Sequence, residues 1–114
     1  YTIEFELNSD FLVYQYSDTI LEDAALYIKA SKPKRVVITG YAATRGTEVS
    51  GQLIREDIAI AQARADMVAE AFRRVGISRD LLQLERRGET ASPAPAEHGL
   101  TESAKRRVTI RIEP

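Results

Sequence analysis

The chain has 114 residues, 44% of them hydrophobic and 29% charged, which is the size and composition of one globular domain with a single core. Its formal net charge of −1 gives no electrostatic reason to expect nucleic-acid binding or a basic patch for a membrane surface. No cysteine is present, so disulfide and thiolate chemistry are excluded. No apolar run approaches the roughly 20 residues of a membrane helix, so we expect no membrane span in this segment.

The sequence offers few groups that an enzyme could use. The only histidine, His98, lies in a stretch rich in proline, alanine and glycine, so neither a histidine metal site nor a Ser-His-Asp triad is expected. Acidic pairs occur at Glu22-Asp23 and Glu56-Asp57, both near expected helix starts, where carboxylates stabilise the helix dipole. We therefore expect no catalysis, no cofactor and no bound metal.

The chain opens with a predicted strand. Thr2–Leu7 alternates apolar and polar residues with a period of two, which is typical of a strand with one buried face. The segment 11–16 is aromatic-rich and is predicted to be extended chain or a loop. Its rings, from Phe11, Tyr14 and Tyr16, are expected to pack over the first helix, with a glycan-stacking surface as the alternative.

A first helix is predicted to follow. Asp18 or Thr19 can serve as its N-cap, and Thr19 with Glu22 matches a capping box. The helix is predicted to end near Ser31, because Pro33 cannot donate a backbone hydrogen bond and restricts the residue before it.

The middle of the chain predicts a central strand, a loop and a second helix. Arg35–Tyr41 begins with a β-branched run, which indicates a strand covered on both faces. The polar segment 46–56 is predicted to be a loop or an extra partial turn. The second helix should span about 56–75 and end at Gly76 as a left-handed cap. Its apolar stripe consists of Ile58, Ala61, Ala65, Val68, Phe72 and Val75.

Two further strands complete the expected fold. Leu82–Arg86 and Arg106–Ile112 alternate apolar and polar residues, and 88–101 is predicted to be a loop. The order βαβαββ predicts an α+β protein, a two-layer sandwich with a mixed four-stranded sheet and both helices on one face. The expected core includes Ile3, Phe5, Leu26, Ile28, Val37, Ala61, Ala65, Val68, Phe72, Leu84, Val108 and Ile110.

Several short motifs occur in a fixed order along this pattern. They are Gly40-Tyr41, Gly46, Arg64-Ala65, Val68, Gly76-Ile77, Gly88-Glu89 and Arg106-Arg107-Val108. Their order resembles that of the OmpA-like domains, which bind peptidoglycan in bacterial envelopes, and the resemblance implies the βαβαββ fold. The family's strand end reads G-[HY]-T-D-x-x-G and its helix reads N-x-x-L-S-x-x-R-A-x-x-V.

The resemblance also implies a ligand, the diaminopimelate side chain of uncrosslinked peptidoglycan. In the family the helix arginine, here Arg64, holds the ligand carboxylate, and an aspartate after the strand pairs with the ligand ammonium. This chain has Ala42-Ala43 where the family has Thr-Asp. Loss of one charge-assisted partner costs about 1.5–3 kcal/mol, so weak or lost peptidoglycan binding is expected.

A replacement carboxylate could come from the segment 47–57, which is longer than in the family by about six residues and carries Glu48, Glu56 and Asp57. Asp57 stands where the family usually has asparagine. If a ligand is retained, the resemblance implies a site formed by Gly40, Tyr41, Ala43, Asp57, Arg64 and Arg107.

Structural roles compete with these assignments. Arg64 could instead bridge its helix to a loop carbonyl, to Asp66 or to Glu70. Arg106 and Arg107 are expected to be fold elements or exposed strand charges rather than a ligand clamp, with one of the two facing inward.

Two functions within this family remain open, and a third possibility is an unrelated two-layer α/β enzyme domain that only looks OmpA-like. The first is a non-catalytic module of OmpA-like fold that serves as a structural or protein-docking domain in a larger envelope assembly of secretion, conjugation or pilus type. The alternative is a working peptidoglycan anchor that holds diaminopimelate through Arg64 and a carboxylate from 47–57. In both cases we expect residues 1–114 to be one domain of a longer protein in the periplasm or envelope of a Gram-negative bacterium. Tethering to a membrane by the rest of that protein is left open.

Overall fold

A computed structural model describes residues 1–5, 14–44, 47–88 and 106–114. Two helices, one four-stranded sheet and one separate hairpin make up this part of the chain. In chain order the elements are β1 (Thr2–Glu4), α1 (Tyr14–Ser31), β2 (Arg35–Tyr41), β3 (Thr47–Val49), β4 (Gln52–Ile54), α2 (Ile58–Arg74), a 3₁₀ turn (Arg79–Leu81), β5 (Leu82–Arg87) and β6 (Arg107–Glu113).

The main sheet has the strand order β1-β6-β2-β5 and is mixed, as predicted. The strand β2 pairs in parallel with β5, with Ile38 opposite Leu84, and antiparallel with β6, with Ile38 opposite Ile110. The short strand β1 pairs antiparallel with the outer edge of β6. The strand β2 is central, because it has a strand on each side. Its residues 36–40 point alternately to the two faces of the sheet and are all buried, so the prediction of a strand covered on both faces is confirmed.

Both helices pack on one face of this sheet and enclose the core. The predicted core is confirmed apart from two leucines: Leu84 is half-buried, and Leu26 is 62% exposed. The placement of Leu26 was wrong because it lies on the exposed side of α1, outside its buried stripe. That stripe is Leu21, Ala24, Ala25 and Ile28, spaced by three and four residues.

The helix α1 begins at Tyr14, so the predicted start at Asp18 or Thr19 was wrong. Thr19 and Glu22 therefore lie inside the helix and form no capping box. Nothing between Tyr14 and Ser31 is glycine or proline, so no residue there breaks the helix. Its end is as predicted, with Lys32 in the left-handed region at a φ of 46°. No helix in the described residues is long and apolar enough to span a membrane.

The segment 47–54 is a β-hairpin, not the loop or partial turn predicted from its polarity. Its turn residues, Ser50 and Gly51, both have positive φ, at 51° and 78°, which is the geometry of a two-residue type I′ turn. The helix α2 then begins at Ile58 and ends at Arg74, with Gly76 left-handed as predicted. The end residues of its predicted stripe, Ile58 and Val75, are exposed.

Some predictions fall on residues outside the described ranges. These are the end of the first strand at Leu7, the aromatic residue Phe11, Gly46 of the family motif, most of the loop 88–101 and His98 within it.

Phe72 is the largest apolar side chain of the core with no exposed surface, so its truncation to alanine should be costly. We expect Phe72→Ala to lower the free energy of unfolding by about 3–5 kcal/mol, as measured by urea denaturation. The matched control is Leu53→Ala, which should change it by about 0.5 kcal/mol or less because this leucine, on the hairpin, is exposed. Equal losses in the two variants would contradict the packing described here.

Candidate functional site

The site begins with an arginine on the buried face of α2. Arg64 lies three residues after Ala61 and four before Val68, so helical geometry places all three on the same face. Both neighbours are fully buried, and Arg64 itself has 0% exposure, the largest side chain buried to this degree. An ionised guanidinium in such a position is stable only if a counter-charge and hydrogen-bond acceptors are supplied from within the fold.

The counter-charge is Glu56, which is 4% exposed. The two side chains meet as a bidentate fork: Arg64 Nη1 donates to Glu56 Oε1 at 2.8 Å, and Nη2 donates to Oε2 at 2.6 Å. The backbone N–H of Ala43 donates to the same Oε1 at 2.8 Å. The carboxylate therefore accepts from at least three donors, one from the turn after β2 and two from α2.

Strand β2, the turn after it and Phe5 also contact this pair. The carbonyl oxygen of Tyr41 accepts from Arg64 Nη1 at 2.9 Å, and the ring of Phe5 lies 5.3 Å from the guanidinium carbon. The Ala43 carbonyl accepts from the backbone N–H of Glu56 at 3.0 Å. Ala43 thus binds Glu56 through both of its backbone groups, which ties the residues just before α2 to the end of β2.

The hairpin explains how Glu56 reaches this position. Strand β4 ends at Ile54, two residues before Glu56, and α2 begins two residues after it. The N-cap of α2 is Asp57, whose Oδ1 accepts from the backbone N–H of Ala59 at 2.8 Å. This cap turns the exposed Asp57 side chain towards the helix end while its neighbour Glu56 is buried.

Gly40 brings the strand and the helix close together. A Cβ at this position would lie 1.9 Å from the carbonyl oxygen of Ala61 in α2, which is closer than two non-bonded atoms can approach. The absence of a side chain therefore lets β2 and α2 come near enough for Arg64 to reach the Tyr41 carbonyl. The role that the structure shows for Gly40 is a packing role.

Arg107 lies on the face of the sheet opposite the helices. Its guanidinium carbon is 3.9 Å from the centre of the Tyr41 ring, its cross-strand neighbour, in a cation–π contact. The adjacent Arg106 is half-buried, and its Nε donates to the carbonyl oxygen of Phe5 at 3.0 Å. The two arginines thus have different surroundings, and each is bound to the fold by at least one contact.

Of the six residues proposed for a ligand site, the structure brings Tyr41, Ala43 and Arg64 together around Glu56. Asp57 is exposed at the start of α2, and whether any of the six binds a ligand stays a prediction. Sequence reasoning did not identify Glu56 as the partner of Arg64. It considered Glu56 only as a partner for a ligand ammonium. The signal was available, because an arginine within an apolar helix stripe requires a buried acid.

This cluster pairs two opposite charges within the fold. The fork of Arg64 faces a carboxylate of this chain, and within the described ranges no three side chains of histidine, aspartate or glutamate are placed to share a metal ion. The cluster has the form of a carboxylate-binding site whose carboxylate is supplied internally.

The comparisons with known proteins agree with this fold. The family model of the OmpA family matches residues 5–108. The peptidoglycan-associated lipoprotein from Burkholderia pseudomallei superposes with a TM-score of 0.72 at 21% identity, over 98% of this chain and 89% of that one. The C-terminal domain of Helicobacter pylori MotB superposes with a TM-score of 0.76 at 21% identity, over 100% of this chain and 86% of that one. The cell wall anchor of the T6SS from Pseudomonas aeruginosa superposes with a TM-score of 0.70 at 21% identity, over 98% of this chain and 78% of that one. No curated protein sequence matches the chain.

Proposed function

The chain belongs to the OmpA family, and we propose that it is a non-catalytic envelope domain whose peptidoglycan site is closed by its own Glu56. Its role is then structural, as a docking domain for other proteins within a larger envelope assembly. The observation that supports this proposal is the buried fork between Arg64 and Glu56, in which the arginine implied to hold a ligand carboxylate already holds one.

A ligand carboxylate would have to displace Glu56 before it could reach Arg64. The ligand would exchange one buried ion pair with Arg64 for another, so most of the energy that it gains from Arg64 is offset by the Glu56 contact that it breaks. Glu56 also competes as part of the same chain, at the high effective concentration that a short connection gives.

The second half of the family's clamp is missing as well. Ala43 stands where the ammonium partner is implied, has 0% exposure and offers no carboxylate. The acid nearest to it, Glu56, is bound to Arg64, so its charge is already neutralised within the fold. A ligand would therefore meet neither an available guanidinium nor an available carboxylate at this place.

The relatives indicate the setting in which such a domain works. One is named a peptidoglycan-associated lipoprotein, another the periplasmic domain of MotB, and a third a cell wall anchor of a secretion system. By analogy we place this chain in the periplasm of a Gram-negative bacterium, as part of a secretion, conjugation or pilus assembly. With the sugar-peptide site closed, the fold is left to serve contacts with proteins.

The second candidate function is a working peptidoglycan anchor, and the position of Glu56 is the observation in its favour. Glu56 is a carboxylate from the segment 47–57 beside Arg64, as that alternative required. For this function Glu56 would have to leave the guanidinium and pair with the ligand ammonium while the ligand carboxylate takes its place. The two functions therefore differ in whether Glu56 exchanges partners when peptidoglycan is present.

Sedimentation with purified sacculi distinguishes them. We expect the domain to stay in the supernatant at low and at moderate salt, because its clamp is closed. An OmpA-family domain with the Thr-Asp pair intact serves as the positive control and should sediment with the sacculi. Sedimentation of this chain as complete as that of the control would support the anchor instead.

A further inference from the structure

A groove runs between the two helices on the side away from the sheet. We define the helix groove by its floor, Leu21, Ala25 and Phe72, and by the exposed Leu26 and Val75 beside it. Its volume is about 590 Å³, and Leu26 and Val75 are 62% and 48% exposed. Apolar side chains of this size, grouped around an apolar floor, are typical of surfaces that contact another protein.

The two ends of the helix groove carry opposite charge. Asp18 and Glu22 line one end, and Lys29 and Arg74 line the other. Asp18 and Lys29 are eleven residues apart on α1, which is about 16 Å along the helix axis. Within the described part of the chain, neither acid forms an ion pair, and Lys29 forms none either. Three of these four charges are thus available to a partner.

We propose that two copies of this chain pack helix groove to helix groove about a two-fold axis. A two-fold interface joins the same surface on both copies, so that surface must be complementary to itself when reversed. The helix groove meets this condition because reversal sets Asp18 of each copy opposite Lys29 of the other. The same register places Leu26 opposite Leu21 of the second copy, so the exposed leucine covers the apolar floor.

A two-fold pair accounts both for the exposed apolar side chains of the helix groove and for the opposite charges at its two ends. Each copy buries the apolar side chains that it exposes alone, and each acidic end gains a basic end as its counterpart. This inference does not rest on the proposed function, since the helix groove and the Arg64–Glu56 site share no residue.

Sedimentation equilibrium of the full chain tests the proposal directly. We expect a concentration-dependent species of twice the 12.7 kDa chain mass, with association weakened by salt. Leu26→Asp should weaken association by at least about tenfold. The control is Leu53→Asp, which alters a leucine of similar exposure, 58%, on the hairpin and should have no effect. All of these side chains are exposed, so the variants should fold, which circular dichroism verifies.

Charge reversal gives the sharpest test. Asp18→Lys alone and Lys29→Glu alone should each weaken self-association, because like charges then face each other across the axis. An equimolar mixture of the two variants should associate again as a mixed pair, since each substituted side chain then faces the other and the unchanged Asp18 faces the unchanged Lys29. A chain that stays monomeric up to about 1 mM would overturn the proposal. So would a dimer that neither Leu26→Asp nor the charge reversals affect.

Discussion

Replacing Glu56 by alanine should lower the free energy of unfolding by about 4–6 kcal/mol, one of the two largest losses expected for a single substitution here. Loss of the buried carboxylate that pairs with Arg64 accounts for about 3–5 kcal/mol, and the orphaned N–H of Ala43 adds to it. Urea denaturation at low temperature measures the loss, because a change of this size approaches the total stability of many domains.

The neighbouring acid provides the control. Asp57→Ala removes an exposed carboxylate that caps α2 and should lower stability by about 1 kcal/mol. Replacing both members of the ion pair, as Glu56→Leu with Arg64→Met, should be much less harmful than Glu56→Ala, because no buried charge is left unpaired. If Glu56→Ala and Asp57→Ala lower stability equally, the ion pair does not hold the fold as described.

The Glu56→Ala variant should also respond to small carboxylates. Removal of the side chain leaves the Arg64 fork and the Ala43 N–H facing an empty space of carboxylate shape. Formate should therefore raise the melting temperature of the variant in a saturable way, following RT ln(1 + [L]/Kd). Chloride at the same ionic strength is the control. A rise that is equal in the wild type, or equal with chloride, would exclude a specific site.

Gly40→Ala should be of similar effect, with a loss of about 4 kcal/mol or more. The new methyl group would lie 1.9 Å from the carbonyl oxygen of Ala61, which is backbone and cannot turn aside. The helix α2 would have to move away from β2, which also pulls Arg64 from the Tyr41 carbonyl. Thermal unfolding followed by circular dichroism measures the change.

Gly88→Ala is the matched control for this clash. Its added methyl group would meet Thr44 Oγ1 at 2.8 Å, the tip of a side chain rather than backbone, so a small movement relieves it. We expect a loss of about 1–3 kcal/mol at most, the range typical of overpacking. A Gly40→Ala variant as stable as Gly88→Ala would mean that β2 and α2 are farther apart than the structure places them.

The fold could be predicted largely from periodicity, because apolar residues that repeat every second or every third and fourth position report burial directly. This held for α2 and β6, while β2 was predicted from its continuous β-branched run. Leu26 was misplaced because it was assigned to the core for being apolar, although its angle on α1 is opposite to that of Ala24 and Ile28. The hairpin was missed because its polar strands are only three residues long, although Ser50-Gly51 is a turn signal.

The candidate site was predictable only in part. The family resemblance pointed to Arg64 and Tyr41, and the sequence itself shows alanine at position 43, where the family has aspartate. The partner Glu56 could not be chosen over Glu48 from sequence, because the choice depends on how the hairpin returns the chain to the start of α2. Its burial follows from three-dimensional contacts with Ala43, which no local pattern reports.

The amide of Ala43 reports most directly on the central claim, that Glu56 already fills the place of the ligand carboxylate. Its N–H donates to Glu56 Oε1, so any exchange of Glu56 for a ligand must change its chemical shift. We propose titrating the wild-type domain with a peptide that contains diaminopimelate, followed by ¹H–¹⁵N spectra. The account predicts no shift of the Ala43 amide up to about 10 mM peptide, well above a 1 mM affinity. A saturable shift of the Ala43 amide together with the Arg64 guanidinium signals would contradict it and establish a working anchor.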